Sequence, residues 1–121
     1  MVIGTERGGP ALDAIAGDEE RAISVITVSE LLHGVHRAQG AARSRRLSFV
    51  EHVLDAVPAV PISTPVARVH AEIHAKLAAR GDAIGAHDLW IAATALAHGL
   101  GLATGNVRDF ERVPGLRLIE A

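Results

Sequence analysis

An α/β fold built on one parallel sheet is predicted by three observations. Short apolar or β-branched runs alternate with helix-patterned segments along the 121 residues, the rhythm of strand, crossover helix and parallel strand. Segment 86–97, Ala-His-Asp-Leu-Trp-Ile-Ala-Ala-Thr-Ala-Leu-Ala, has Asp88 as its only charge. It reads as a helix apolar nearly all round, which must be buried. Acids also recur at one offset from three strand-to-helix junctions: Thr27-Val-Ser-Glu30 after 22–26, Gly85-Ala-His-Asp88, and Asn106-Val-Arg-Asp109 after 101–104. Each has the spacing of an N-cap followed by an acid at the third helical position.

Taken in order, residues 1–7 read as the tail of a helix closed by Gly8-Gly9, and Pro10 opens a short helix to Ala16. Gly17-Asp-Glu-Glu is a turn and 21–26 a β-branched strand. A helix follows over 27–39 with Glu30, Leu31, Leu32 and Val35, until Gly40 breaks it. Leu47, Val50, Val53, Leu54 and Val57 fall at helical spacing and should pack on the core. Residues 58–62 are a candidate strand. Ser63 or Thr64 caps the next helix, with Pro65 in its first turn and Val69, Ile73 and Leu77 as its buried stripe. Loop 81–85 leads into the 86–97 helix, which Gly99 ends. Strand 101–104, a short helix from Asn106 and a strand at 116–119 complete the alternation.

Composition narrows the function. Length indicates one domain, 1–121, and 49% hydrophobic residues supply its core. Phe49, Phe110 and Trp90 are the only aromatics, which argues against a binder that stacks successive bases on aromatic platforms. A net charge of −2 rules out retention of polyanions by overall basicity, so any nucleic-acid contact must be local. With no cysteine, disulfide scaffolds and thiolate metal sites are excluded. The 12-residue apolar helix is too short to span a bilayer, and with no signal peptide in view the expected location is the cytoplasm.

The acids carry the chemistry. A lone carboxylate on a buried helix must neutralise or find a cation. Helix capping accounts for one such acid, since the helix dipole favours a first-turn carboxylate by about 0.3–1 kcal/mol. Three acids at junctions of neighbouring parallel strands converge, because helix N-termini and strand carboxyl ends gather at one edge of such a sheet. Two carboxylates at about 4 Å repel by about 4 kcal/mol at an effective dielectric near 20, so the cluster takes up a proton or a divalent cation. Oxygen ligands suit Mg²⁺ or Mn²⁺.

Other clusters are weaker. His33 and His36 read as solvent- or partner-facing. His70 and His74 have a zinc-compatible i, i+4 spacing without the His-Glu-x-x-His pattern. Arg37, Arg43, Arg45 and Arg46 form a stretch without an acid. It is either a solvated helix face or a grip on phosphates, with Arg45 and Arg46 as the RNA-contact candidates.

Together, Ser24-Val-Ile-Thr-Val-Ser-Glu30-Leu-Leu-His-Gly, Gly85-Ala-His-Asp88-Leu-Trp-Ile-Ala-Ala-Thr-Ala and Leu102-Ala-Thr104-Gly-Asn106-Val-Arg-Asp109-Phe110 resemble the PIN-domain ribonucleases, and within them the VapC toxins of toxin–antitoxin pairs. The motifs occur in family order, and the tail Val113-Pro-Gly-Leu-Arg-Leu is typical of the group. The resemblance implies a three-layer α/β/α sandwich around a central parallel sheet. It implies RNA hydrolysis by water activated on Mg²⁺ or Mn²⁺, a VapB-like antitoxin and a homodimer. Carried over by motif, Glu30, Asp88 and Asp109 are the metal-binding acids, Asn106 completes the catalytic group, and Thr104, the polar residue ahead of the last pair, joins Arg45 and Arg46 as an RNA-contact candidate.

One departure stands out. The family's first acid ends its first strand, immediately before the helix that matches Val2-Ile-Gly-Thr-Glu-Arg-Gly-Gly. The first strand is therefore expected to be absent here, leaving a gap in the core and unpaired backbone groups beside it. Either the start is placed too far downstream, or the domain is N-terminally truncated. In the second case the chain is a catalytically inactive module that captures an antitoxin in an apolar groove lined by Leu31 and Leu32. A third reading is an unrelated α/β domain with ordinary capping acids.

Overall fold

The computed structural model describes residues 1–6, 9–10 and 21–120. Its elements are β1 (Val2–Ile3), β2 (Thr5–Glu6), β3 (Gly9–Pro10), β4 (Ile23–Ser24), α1 (Val25–Arg37), α2 (Gly40–Ala56), β5 (Ala59–Val60), α3 (Thr64–Ala79), α4 (Ala86–Ala97), β6 (Leu102–Thr104), α5 (Val107–Phe110) and β7 (Leu118–Glu120). The expected Gly8 stop, the helix beyond Pro10 and the turn from Gly17 lie outside the described residues.

The first residues correct the sequence reading. Val2–Ile3 is a strand, where a helix tail was expected. It pairs in parallel with β6, Val2 opposite Leu102 and Ile3 opposite Ala103. On its other side, a parallel bridge joins Val2 to Ala22, with Ile3 N–H donating to the Ala22 carbonyl and Ala22 N–H to that of Met1, both at 2.8 Å. β1 thus lies between the β6–β7 pair and the β4–β5 pair. The gap expected from a missing first strand is filled by the chain's own start. Two β-branched residues next to open backbone groups gain both ladder bonds and complete burial there, which outweighs any local helical preference.

Helices cover both faces of the sheet. Val2 and Leu102 face a cluster with Val66, Ile73 and Leu77 of α3 and Leu89, Ile91 and Ala92 of α4. Ile3 and Ala103 face the other way, against Val53 and Val57 at the end of α2. This alternation along short parallel strands is the α/β/α sandwich expected from the sequence.

Local signals position the helices. α1 starts earlier than expected, at Val25, because Ser24 is the N-cap and its hydroxyl accepts from Ile26 N–H. Ser63 caps α3 through Val66 N–H. α4 begins after Gly85 and buries Leu89 and residues 91–95. It closes with Leu100 N–H on the Ala95 carbonyl and Gly99 N–H on that of Leu96, with Gly99 at φ +65°. That is a Schellman ending, which needs glycine's left-handed freedom.

Candidate active site

Strands β1, β4 and β6 run in parallel, so their carboxyl ends share one edge of the sheet. β4 runs straight into α1 there, and the N-terminus of α4 returns to it. Glu30 lies on α1, Asp88 in the first turn of α4, and Asn106 and Asp109 at the start of α5.

The three acids lie within electrostatic reach of one another at Asp88. Asp88 is half-buried and its carboxyl titrates above the usual range, first from burial, then from the negative charges of Glu30 and Asp109, with His87 opposing. Asp88 is therefore the centre of the cluster, flanked by the other two. Capping no longer accounts for all three, because α1 has no acid in its first turn and Glu30 lies deeper in the helix. The imidazole Nδ1 of the exposed His87 is 3.8 Å from Glu30 Oε2.

On the β6 side a chain of bonds fixes Asp109. The Thr104 hydroxyl, fully buried, accepts from Asn106 N–H at 3.0 Å. Asn106 Nδ2 donates to Asp109 Oδ2 at 2.9 Å. Arg112 approaches Asp109 Oδ1 at 3.7 Å. Asn106 is the N-cap residue of α5, yet its side chain makes no cap bond. The amide orients the carboxylate instead.

At the end of β1, Gly4 N–H donates to the Ala103 carbonyl at 2.8 Å. A Cβ at position 4 would lie 3.4 Å from both that oxygen and Thr104 Cβ, in van der Waals contact with β6. This strand therefore delivers a glycine, without a side-chain oxygen, to the point where it leaves the sheet.

The donor set is all oxygen, and burial together with the charges of Glu30 and Asp109 raises the proton affinity of Asp88, the condition that a hard divalent cation relieves. The residues present thus fit Mg²⁺ or Mn²⁺ in chemistry. Among the described residues, no three histidine or acid side chains lie close enough to enclose an ion, so binding would require them to draw together. His70 and His74 form no alternative centre. The His70 ring lies flat on Trp90, with centroids 3.6 Å apart and planes at 17°, and His74 meets it edge-on at 5.8 Å.

The RNA-contact candidates divide. Thr104 is built into the site. Arg45 and Arg46 project from α2, exposed, and Arg46 reaches back to the Gly34 carbonyl of α1 at 3.5 Å. His87 and Arg112 were not singled out from the sequence. Their signals were adjacency to Asp88 and the i, i+3 spacing from Asp109.

Residues 2–116 match the PIN domain family. Ribonuclease VapC1 of Rickettsia felis is 35% identical over 120 residues, covering 98% of this chain and 90% of that protein. The tRNA(fMet)-specific endonuclease VapC of Salmonella typhimurium is 36% identical over 96 residues, 79% of this chain and 71% of that one. Among solved structures, VapBC2 of Rickettsia felis bound to a promoter DNA fragment superposes with a TM-score of 0.81 at 29% identity, over 91% of this chain and 81% of that one. VapBC-5 of Mycobacterium tuberculosis gives 0.76 at 32% identity, over 84% and 82%. With the sandwich, the acid edge and these relatives in agreement, the chain belongs to the PIN domain family, as a VapC-like ribonuclease.

Proposed function

We propose that this chain is one PIN-like domain acting as a Mg²⁺- or Mn²⁺-dependent endoribonuclease, the toxin of a VapBC-type pair. The observation that carries the reading is Asp88, half-buried between Glu30 and Asp109 and reluctant to ionise beside them. Asp88, Glu30 and Asp109 are assigned as the metal-binding acids, with Asn106 as the fourth catalytic residue. When bound, the ion lowers the pKa of a water and offsets negative charge on the phosphate. Asn106 holds one oxygen of Asp109 and Arg112 approaches the other, which together orient the carboxylate. Thr104 holds the Asn106 backbone and so fixes where that carboxylate points. Arg45 and Arg46 are assigned to the RNA backbone.

The partners that go with this reading are an RNA substrate, a VapB-like antitoxin and a second copy of the chain. The solved relatives that bear the name VapBC support the antitoxin. No helix among the described residues is long and apolar enough to cross a membrane, which is compatible with the proposed cytoplasmic location.

A second reading is favoured by one feature: Gly4 ends the central strand without a side-chain oxygen, and the remaining donors stand apart. On that reading the chain binds an antitoxin without cutting RNA. Mn²⁺ titration of the purified protein separates the two. Micromolar affinity that disappears in Asp88→Asn supports the nuclease, and no measurable binding supports the inactive module.

A further inference from the structure

Two arginines outside the acid cluster link the segments on either side of it through backbone carbonyls. Arg80, at the end of α3, donates through Nη2 to the Arg112 carbonyl at 2.6 Å. Arg112 in turn donates through Nη1 to the Ala83 carbonyl at 2.9 Å. The two bonds run in opposite directions and tie the loop between α3 and α4 to the turn after α5. That loop has no regular structure of its own and includes Gly81 at φ +70°; Asp82 N–H on the Leu77 carbonyl anchors its start and Ile84 packs on the core, while Arg112 holds Ala83 between them. Ala83 stands three residues before α4 begins, and Asp88 lies in the first turn of that helix. The other arm of the same guanidinium is 3.7 Å from Asp109 Oδ1.

We propose that Arg112 is a positioning residue of the acid site: one planar guanidinium spans Asp109 and the loop that launches Asp88, and so sets the spacing between the two carboxylates. The inference rests on the metal-site reading given above. Arginine suits the task because its fork donates in two fixed directions, whereas an ammonium is a point charge. The alternative role is a surface clasp, and exposed ion pairs contribute little to stability. The two roles are separable because charge and geometry act with opposite signs. By Coulomb's law a cation at this distance weakens the binding of another cation, so deleting the charge alone should tighten Mn²⁺ binding. Losing the spacing should weaken it.

The test is Mn²⁺ affinity, read from the spin resonance of the free ion, in the full chain and in Asp88→Asn, Arg112→Gln and Arg112→Lys, with thermal melting alongside. The expected result is loss of binding in D88N and about tenfold weaker binding in R112Q, the usual cost of removing a group that orients a ligand. R112K, which keeps the charge and remains a check should R112Q fail to fold, is expected to fall short of the wild type as well. Binding in R112Q equal to or tighter than wild type, or full affinity in R112K, overturns the positioning role while leaving the metal site standing. Wild type and D88N binding alike would overturn the metal site, and the role of Arg112 with it.

Discussion

The two flanks of the acid site are built differently. On the β6 side, Thr104, Asn106, Asp109 and Arg112 form a continuous chain of contacts within seventeen residues of the chain's end. On the β1 side, a strand of two buried apolar residues ends in Gly4, and Glu30 faces an exposed histidine across 3.8 Å. One flank fixes a carboxylate through directional bonds. The other is held in place by hydrophobic burial and backbone pairing. Hydrogen bonds to a charged group set direction, while burial is non-directional and sets only depth. Perturbing the β1 side should therefore cost stability, and perturbing the β6 side should cost chemistry.

The largest effect is expected from Ile3→Ala. Ile3 is fully buried between the sheet and α2, and truncating such a side chain costs about 2–5 kcal/mol. Denaturant unfolding followed by circular dichroism measures it. A loss below about 1 kcal/mol would show that β1 does not hold the centre of the sheet.

Asp88→Asn comes next and acts in two directions at once. RNA cleavage should fall by at least about 100-fold, the upper range for groups that only orient a metal ligand, while melting at neutral pH should rise. The sign follows from linkage: the folded state holds the Asp88 proton more tightly than the unfolded state does. The contribution of Asp88 to stability is therefore most favourable at low pH and declines as pH rises from the ordinary aspartate range through the raised folded value, above which the penalty is constant. Melting curves of wild type and D88N should converge in acid and separate towards neutrality. Parallel curves at all pH values would remove the charge cluster from the reading.

The same contrast explains what was legible in the sequence. Helix periodicity and caps revealed α2, α3 and α4, and the recurrence of acids after apolar runs pointed to Glu30, Asp88 and Asp109, whose charges act together on Asp88. Local pattern failed at residues 1–7, where Val2 and Ile3 adopt whatever conformation the neighbouring strands complete. This is tertiary pairing overriding local preference. It also misplaced the start of α1, because Ser24 and Thr27 are both N-cap types and only the Ser24 hydroxyl reaches an open N–H. The i, i+3 spacing pointed from Arg112 to Asp109, but the second partner of Arg112 is a backbone carbonyl 29 residues away, which leaves no pattern in the sequence.

Asn106→Ala sharpens the comparison on the directional flank. It frees Asp109 Oδ2 and should lower cleavage about tenfold, with a stability loss near 1 kcal/mol for one exposed-side hydrogen bond. If stability falls while single-turnover cleavage is unchanged, Asn106 serves α5 and not the carboxylate.

The smallest effect is expected outside both flanks, from Arg45→Ala combined with Arg46→Ala. These side chains are exposed on α2, so folding should be little affected, and the acids keep their neighbours. If both side chains meet phosphates of single-stranded RNA, removing them should lower the slope of log affinity against log salt by about 1.4, since each phosphate contact contributes about 0.7. Measurement with D88N holds the RNA uncut, so that binding is read without cleavage. An unchanged slope would assign the arginine stretch to a solvated helix face and leave RNA recognition to the edge where Asp88, Asn106 and Asp109 meet.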